Sequence, residues 1–248
     1  MKIGTFNFEN YRNSNLVDSN TGNAKKLLES DLDIIAISEI YNHQIKYLES
    51  EKYKVFSPLH LLELNKPQLT TVIMVKSEIL TKYNLKQVAP LLTEHPLQYR
   101  NLRLVGDKID INSFYLPTGA PNQRSKEYGI NTILDYIKDW SNSDNINLAF
   151  GDWNINDGTE SLKNYFDSYK NKFSSDEKYN QLKNSWTELS NKYNGWNIAK
   201  EKVGDKITCI DKKSHVDFIY SNRPISKIEH LENYIKSDHK AVIAELKL

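Results

Sequence analysis

The stretch Asp33-Ile34-Ile35-Ala36-Ile37-Ser38-Glu39 decides the fold class that this sequence predicts. Its centre is an unbroken apolar run, which is typical of a β-strand buried on both faces, as in the interior of an α/β protein. The run stops at Glu39, so the strand is expected to deliver a carboxylate at its end. A buried strand that ends in an acidic side chain indicates a polar site at the edge of a sheet.

Strand-like and helical segments alternate on both sides of this stretch. Upstream, Lys2 to Phe8 alternates as a strand, and apolar residues from Ala24 to Leu28 share one helical face. Downstream, a helix is predicted between Asn122 and Trp140, and Gly106-Asp107 is expected to join two antiparallel strands. Further strands are predicted at Thr71–Val75, Gln98–Val105, Lys108–Tyr115, Asn147–Phe150, Lys206–Ile210, His215–Ser221 and Ala241–Leu246. The pattern predicts an α/β fold.

Composition excludes several classes of protein. With 33 basic and 32 acidic residues the net charge is +1, so any contact with nucleic acid must be a local patch. Cys209 is the only cysteine, which excludes an intrachain disulfide and a cysteine-rich zinc site, and no cationic partner for it is evident. No apolar run approaches the roughly 20 residues that span a bilayer. We therefore expect a soluble, cytoplasmic monomer with one domain over residues 1–248 and no obligate protein partner.

Three short motifs carry the chemistry. In Gly151-Asp152-Trp153-Asn154 the i, i+2 spacing puts a carboxylate and an amide on the same side of an extended chain. His215-Val216-Asp217 has the same spacing, and Ser237-Asp238-His239 places a carboxylate beside an imidazole. Hydrolysis of a phosphodiester needs a hard cation held by oxygen ligands, a base for water and a source of positive charge at the phosphate. These motifs contain each of those residue types.

The roles follow from the side chains. Glu39 and Asp238 offer carboxylates for Mg²⁺, and Asp152 can take a proton from water. Asn7 and Asn154 can fix phosphate, metal or water through their amides. Read singly, each motif has a structural alternative: Gly-Asp-x-Asn is ordinary turn chemistry, Glu39 can begin a helix and Asp238 can cap one. Their order and their placement at strand ends favour the catalytic interpretation.

Asp217 and His239 form a further candidate pair. A carboxylate beside an imidazole orients the ring and holds it cationic or in a fixed tautomer, as in a Ser-His-Asp triad. The pair is therefore a candidate for binding a phosphate oxygen.

In this order the motifs resemble those of the endonuclease/exonuclease/phosphatase superfamily, and most of all its exonuclease III and apurinic/apyrimidinic endonuclease branch. Asn112-Ser113-Phe114-Tyr115-Leu116-Pro117 is similar to the Tyr-x-Pro segment of the nucleases, where other branches carry a histidine. Tyr115 therefore favours a nuclease. The other matching segments are Met1–Asn7, Asp33–Glu39, Gly151–Asn154, His215–Ile219 and Ser237–Val242.

The resemblance implies a DNase I-like four-layer α/β sandwich, in which two packed, mixed and largely antiparallel sheets are flanked by helices. It implies in-line attack by water without a covalent intermediate, and Mg²⁺ or Mn²⁺ as cofactor. Each residue takes a role by its match to the family motifs: Glu39 as principal metal ligand with Asn7 and Asp238, Asp152 activating water, Asn154 orienting it, Asp217 and His239 at a phosphate oxygen, and Tyr115 stabilising the transition state.

The sequence also departs from the family pattern. Lys206–Ile210 has no aromatic residue, which argues against specificity for abasic sites, and His215 stands where nucleases often carry arginine. Arg124 and His215 remain the candidates for substrate contact. The leading hypothesis is a nuclease acting on DNA, or on RNA. The alternatives are a phosphoesterase for a small phosphorylated metabolite or lipid headgroup, and an inactive binding module with the same fold.

Overall fold

Strands dominate the part of the chain that the computed structural model describes, which comprises residues 1–9, 17–58, 67–94, 97–117, 123–154, 177, 180, 184, 208–210, 215–232 and 237–248. Short 3₁₀ segments lie at Asn42–Leu48, Leu97–Tyr99 and Asp139–Asn142. The strands and helices are, in chain order, β1 (Lys2–Asn7), α1 (Val17–Glu29), β2 (Ile34–Tyr41), β3 (Tyr53–Phe56), β4 (Leu69–Lys76), α2 (Ser77–Lys82), β5 (Lys86–Val88), β6 (Asn101–Gly106), β7 (Ile109–Tyr115), α3 (Gln123–Lys138), β8 (Ile146–Asp152), β9 (Asp217–Ser221), β10 (Ile225–Leu231) and β11 (Ala241–Leu246).

The strands form two mixed sheets. The first sheet has the order β10-β11-β1-β2-β4-β3, and the second has the order β5-β6-β7-β8-β9. Pairing is parallel between β1 and β2 and between β7 and β8, and antiparallel between the other neighbours. The expectation of two mixed, largely antiparallel sheets is therefore confirmed.

The apolar run in β2 shows why the two sheets and the helices form layers. Ile34 and Ala36 face the second sheet and belong to the core between the two sheets, together with Leu104 and Ile111. Ile35 and Ile37 face the opposite way, toward α1. On the far side of the second sheet, side chains of α3 pack on residues of β7 and β8. Burying one such side chain contributes roughly 1.5–3 kcal/mol, so a strand apolar on both faces stabilises two layers at once.

The end of β2 differs from the sequence prediction. The strand does not stop at Glu39 but continues to Tyr41, and its pairing with β4 shifts register between Ile37 and Ile40. Glu39 lies in this bulge with a φ of 57°. The bulge turns the carboxylate toward the site while the strand stays in the sheet.

Other segments also differ from the predicted boundaries. Of Lys206–Ile210, only residues 208–210 are described, and there Cys209 makes an isolated bridge to His239 rather than a strand. The hairpin between β6 and β7 turns at Asp107-Lys108, one residue later than predicted, because Gly106 still pairs with Ile109. The pattern missed β3, β5 and β10, which lack a long apolar run. No helix within the described residues combines the length and apolar character needed to cross a bilayer.

One contact between the two sheets and one within the second sheet bring strands close together beside the site. Thr71 Oγ1 and Ser113 Oγ, which lie on different sheets, are 2.8 Å apart and hydrogen-bonded in the interior. On β8, Gly151 has a φ of 134°, and a Cβ there would clash with the carbonyl oxygen of Phe114 on the neighbouring strand. Glycine therefore lets β8 approach β7 closely just before Asp152.

Candidate active site

The predicted site residues arrive from six separate parts of the fold. Asn7 ends β1, Tyr115 ends β7 and Asp152 ends β8. Glu39 comes from the bulge in β2, Asp217 begins β9, and Asp238 and His239 directly precede β11. Hydrogen bonds between these side chains, described below, show that the two sheets place them at one common edge.

Asp152 is held as a hydrogen-bond acceptor. The Asn7 amide donates from Nδ2 to Oδ2 at 2.9 Å, and Asn154 donates from its backbone N to Oδ1 at 2.8 Å and from Nδ2 to Oδ2 at 3.0 Å. Asn154 also donates to the carbonyl of Leu116 at 2.8 Å, which fixes its amide. A carboxyl group that receives three donors and is 1% exposed is arranged for its ionised form.

Burial opposes this ionisation. It is the largest influence on Asp152, and together with the nearby charge of Asp217 it raises the pKa of the carboxyl to about 7, while His239 and Asn154 act in the opposite direction. The carboxyl group can therefore both accept and release a proton near neutral pH, as a general base must.

The Asp217–His239 pair lies next to Asp152. The Nδ1 of His239 is 2.7 Å from Oδ2 of Asp217. Burial lowers the pKa of His239, but the charge of Asp217 and its hydrogen bond raise that pKa more, and the net result lies well above the ordinary value. The protonated, imidazolium form of the ring is therefore favoured. Thr208 Oγ1 accepts the backbone N–H groups of Val216 and Asp217 at 2.9 and 3.1 Å, which anchors the start of β9.

Glu39 has one engaged and one unengaged oxygen. Tyr115 donates its hydroxyl to Oε1 at 3.0 Å, whereas Oε2 is buried and finds no hydrogen-bond partner within the described residues. Burial raises the pKa of Glu39, and hydrogen bonds from Asn7 and Tyr115 act against this rise. A buried carboxylate oxygen without a partner destabilises the folded state unless a cation binds it. The donor set around Glu39 therefore fits a hard divalent cation.

Glu9 is a part of the site that sequence reasoning missed. Its backbone N donates to Oδ1 of Asn7 at 2.8 Å, and its Oε2 accepts the backbone N–H of Asp238 at 2.8 Å. Its φ of 54° places it in the left-handed region. Glu9 thus ties the end of β1 to the segment before β11. The only sequence signal was an acidic residue directly after the first strand.

Arg100 is the second missed residue. Its guanidinium carbon lies 4.5 Å from the centre of the Tyr115 ring, and its Nε is buried with no partner among the described residues. Its carbonyl accepts the backbone N–H of Tyr115 at 2.7 Å. In the sequence no motif marks Arg100. In the structure it brings positive charge to the side of the site formed by Tyr115 and Glu39.

Tyr115 keeps its proton at this position. Burial, followed by the negative charge of Glu39, raises the pKa of Tyr115 well above its ordinary value. The phenol is therefore a neutral hydrogen-bond donor beside the candidate metal ligand.

Of the two predicted substrate residues, only His215 has a side chain within the described structure. His215 is buried, its Nε2 lies 3.0 Å from the backbone oxygen of Asp217, and its ring stacks on Phe218. Arg124 belongs to α3, and its side chain lies outside the described residues. Arg12, Trp186 and Trp196, whose side-chain types can contact nucleic acid, lie outside the described residues, as does the side chain of Lys126.

Trp153, which lies between Asp152 and Asn154 in the sequence, is a core residue. The side chain is 1% exposed and packs against Phe114, Phe218 and Tyr220 in the core under α3. A tryptophan buried in this way is not available to stack on a base, and it supports the wall behind Asp152.

Comparisons with known proteins show similarity in structure rather than in sequence. No family model matches the chain, and no curated protein matches it. Truncated TDP2 from Caenorhabditis elegans is similar with a TM-score of 0.67 at 15% identity, covering 98% of this chain and 95% of that one. TDP2 from D. rerio, complexed with single strand DNA product, has a TM-score of 0.67 at 15% identity and covers 100% of this chain and 99% of that one.

Two bacterial structures agree with this result. The 3′ phosphatase NExo from Neisseria, bound to product DNA hairpin, has a TM-score of 0.66 at 15% identity over 100% of both chains. An endonuclease/exonuclease/phosphatase family protein from Leptotrichia buccalis has a TM-score of 0.63 at 15% identity over 100% of both chains. The chain therefore has the DNase I-like α/β fold of the endonuclease/exonuclease/phosphatase proteins, the superfamily that its ordered motifs resemble.

Proposed function

We propose that this protein is a divalent-metal-dependent phosphodiester hydrolase that acts on DNA. The observation that carries the proposal is Asp152, a buried carboxyl group with three hydrogen-bond donors and a pKa of about 7. It lies beside an imidazolium and a carboxylate with an unpaired oxygen. Proton acceptance, positive charge and metal ligation are the functions that phosphodiester hydrolysis requires.

The metal would be held by Glu39, with Asn7 and Asp238 completing its ligands, and Mg²⁺ or Mn²⁺ suits this oxygen set. When bound, the cation neutralises negative charge on the phosphate. Glu9 supports two of these ligands, because it bonds to Oδ1 of Asn7 and to the backbone of Asp238.

The chain's own residues supply the proton chemistry. Asp152 accepts a proton from the attacking water as the new P–O bond forms, and the bond to the leaving oxygen breaks on the opposite side of phosphorus. The leaving oxygen takes up a proton from solvent and departs as an alcohol. The Asn154 amide fixes the carboxylate that does this. His239 donates a hydrogen bond from Nε2 to a phosphate oxygen while Asp217 holds Nδ1, and the Tyr115 phenol donates to the developing charge.

DNA is the proposed substrate for two reasons. The similar structures of TDP2 and NExo contain DNA products, and Arg100 supplies a cation next to Tyr115 where a backbone phosphate would lie. The absence of a large net charge agrees with a local patch of this kind. Placement within the exonuclease III branch rests on Tyr115 and the motif order, and RNA remains a substrate to be tested.

A phosphomonoester is the second candidate substrate, because NExo is a 3′ phosphatase with a TM-score of 0.66 to this chain. The same experiment tests the alternative that the substrate is a small phosphorylated metabolite. A panel of plasmid, single-stranded DNA, RNA, a 3′-phosphorylated oligonucleotide and a small phosphomonoester would be incubated with Mg²⁺ or with EDTA. We expect cleavage of DNA only with the metal.

Two variants make this test specific. Asp152→Asn is expected to lower the rate by about 100- to 10,000-fold, the usual contribution of a general base. Asp135→Asn removes an exposed carboxylate on α3, 78% accessible, and should leave the rate unchanged. Cleavage that survives EDTA or Asp152→Asn would overturn the proposed mechanism. If the enzyme hydrolysed only monoesters, a phosphomonoester would replace DNA as the proposed substrate.

A further inference from the structure

Cys209 lies beside the proposed catalytic imidazole, although the hydrolytic mechanism makes no use of it. The residue is fully buried and forms an isolated antiparallel bridge with His239. Two backbone hydrogen bonds of 2.7 Å flank the bridge, from Ile210 N to the Asp238 carbonyl and from Lys240 N to the Thr208 carbonyl. The thiol lies close enough to the His239 side chain to contribute to the raised pKa of the imidazole. The backbone therefore fixes the distance between the sulfur and the imidazole.

Three different ligand types meet at this point. The Sγ of Cys209, a carboxylate oxygen of Asp238 and a ring nitrogen of His239 all lie within 4.8 Å of one another. The Nε2 of His239 is 3.6 Å from Oδ1 of Asp238. In a tetrahedral zinc site with bonds of about 2.0–2.2 Å, nitrogen and oxygen ligands are separated by about 3.3 Å. The spacing between the nitrogen and oxygen ligands is therefore close to that of a zinc site, and the sulfur lies within 4.8 Å of both.

The chemistry of this set differs from that of the Glu39 site. Thiolate and imidazole are ligands that Zn²⁺ prefers, whereas Mg²⁺ prefers oxygen alone. Asp217 holds Nδ1 of His239 at 2.7 Å, which leaves Nε2 for a metal. A carboxylate behind a metal-binding histidine is a common supporting arrangement in zinc proteins, because it fixes the ring and its tautomer.

We propose that Cys209, Asp238 and His239 form a zinc site and that Zn²⁺ bound there inhibits the enzyme. Binding releases the thiol proton to solvent, together with the Nε2 proton of the imidazolium, and forms bonds from zinc to sulfur, nitrogen and oxygen. Inhibition follows because His239 and Asp238 are withdrawn from the phosphate and from the catalytic metal. The inhibition rests on the proposed hydrolase function, whereas the binding does not.

Cobalt binding tests the site without any measurement of activity. Co²⁺ would be titrated into the full chain, freed of any purification tag, in the absence of Mg²⁺. Cys209 is the only cysteine, so a thiolate-to-cobalt charge-transfer band in the near ultraviolet can come from no other residue. We expect the band in the wild type, its loss on adding Zn²⁺, its absence in Cys209→Ser and its persistence in Glu39→Gln. No band in the wild type, or loss of the band in Glu39→Gln, would overturn the proposal.

Inhibition is the second measurement. Hydrolysis with Mg²⁺ would be titrated with Zn²⁺ in the wild type, in Cys209→Ser and in Cys209→Ala, after thermal unfolding has shown that at least one variant is folded. The folded variant should keep its Mg²⁺-driven rate and need at least tenfold more Zn²⁺ for half-inhibition. Equal zinc sensitivity would refute the site. If the wild type hydrolyses no substrate, the proposed function is wrong. The cobalt band still shows whether Cys209 belongs to a metal site.

Discussion

Asp152 is governed by opposing influences that can be measured directly. Three donors stabilise its carboxylate, but burial and the charge of Asp217 raise its pKa to about 7. We expect its carboxyl carbon to titrate near pH 7 in metal-free protein, as observed by NMR of a sample labelled at aspartate. The Asp152→Asn spectrum identifies the resonance by its absence. A midpoint in the range of an ordinary aspartate would contradict the burial argument.

The raised pKa of Asp152 makes the stability of the folded protein depend on pH. Because the pKa of Asp152 in the folded protein exceeds the ordinary value of 3.8, the folded state binds this proton more tightly than the unfolded chain does. The stabilisation is fully present below about pH 4 and disappears as the pH rises through about 7. Urea unfolding of the metal-free protein should show this decline in the wild type, and Asp152→Asn should lack this component.

Asp217 is expected to control the charge of His239. In Asp217→Asn the pKa of His239 should fall, because the nearby negative charge that raises it is gone. Breaking a buried pair of this kind costs about 3 kcal/mol of folding free energy. Imidazole NMR across the pH range measures the first effect and urea unfolding the second, with Asp135→Asn as control. An unchanged His239 titration would show that Asp217 does not set the charge of the ring.

At the scale of the strand, Gly151 determines how closely β8 approaches β7. In Gly151→Ala the new Cβ would meet the Phe114 carbonyl, and the φ of 134° is unfavourable for alanine. We expect a loss of about 3 kcal/mol or more in stability and the displacement of Asp152. Gly22→Ala is the matched control, because a Cβ on Gly22 in α1 meets nothing within 4 Å. That control should gain about 0.5–1 kcal/mol in thermal or urea unfolding. Equal effects of the two substitutions would disprove the close approach.

The elements that could be predicted from the sequence are those in which one physical signal dominates. β2 was predictable because Ile34 to Ile37 is apolar on both faces, and α3 because its apolar residues repeat at helical spacing. The short edge strands β3 and β5 carry no such run, and their pairing with β4 and β6 depends on tertiary contacts. The bulge at Glu39 was likewise invisible, since its cause is a backbone conformation that no side-chain pattern encodes.

The site was predictable in part for the same reason. Asp152, Asp217 and His239 lie in local motifs, and the structure brings these three residues together. Glu9 and Arg100 belong to no motif. The position of Glu9 depends on its left-handed φ. The position of Arg100 depends on its contact with the ring of Tyr115, fifteen residues later in the chain.

Across the whole molecule, metal binding should couple to stability through Glu39. In EDTA, Glu39→Gln is expected to unfold at the same or a higher temperature than the wild type, because a buried carboxylate with an unpaired oxygen is replaced by a neutral amide. With Mg²⁺ at about 100 times its dissociation constant the wild type should gain about 3 kcal/mol. Differential scanning calorimetry with and without Mg²⁺ gives both comparisons. A metal-dependent gain of equal size in Glu39→Gln would place the cation elsewhere.

The position of β1 between β2 and β11 links the active site to the order of synthesis. Residues 2–5 pair with residues 242–245, so β1 lacks one of its two neighbours until translation has reached β11. His239 lies on the same late segment. A nascent chain that does not yet contain β11 therefore cannot assemble the proposed active centre, and hydrolysis can begin only after β11 has been synthesised.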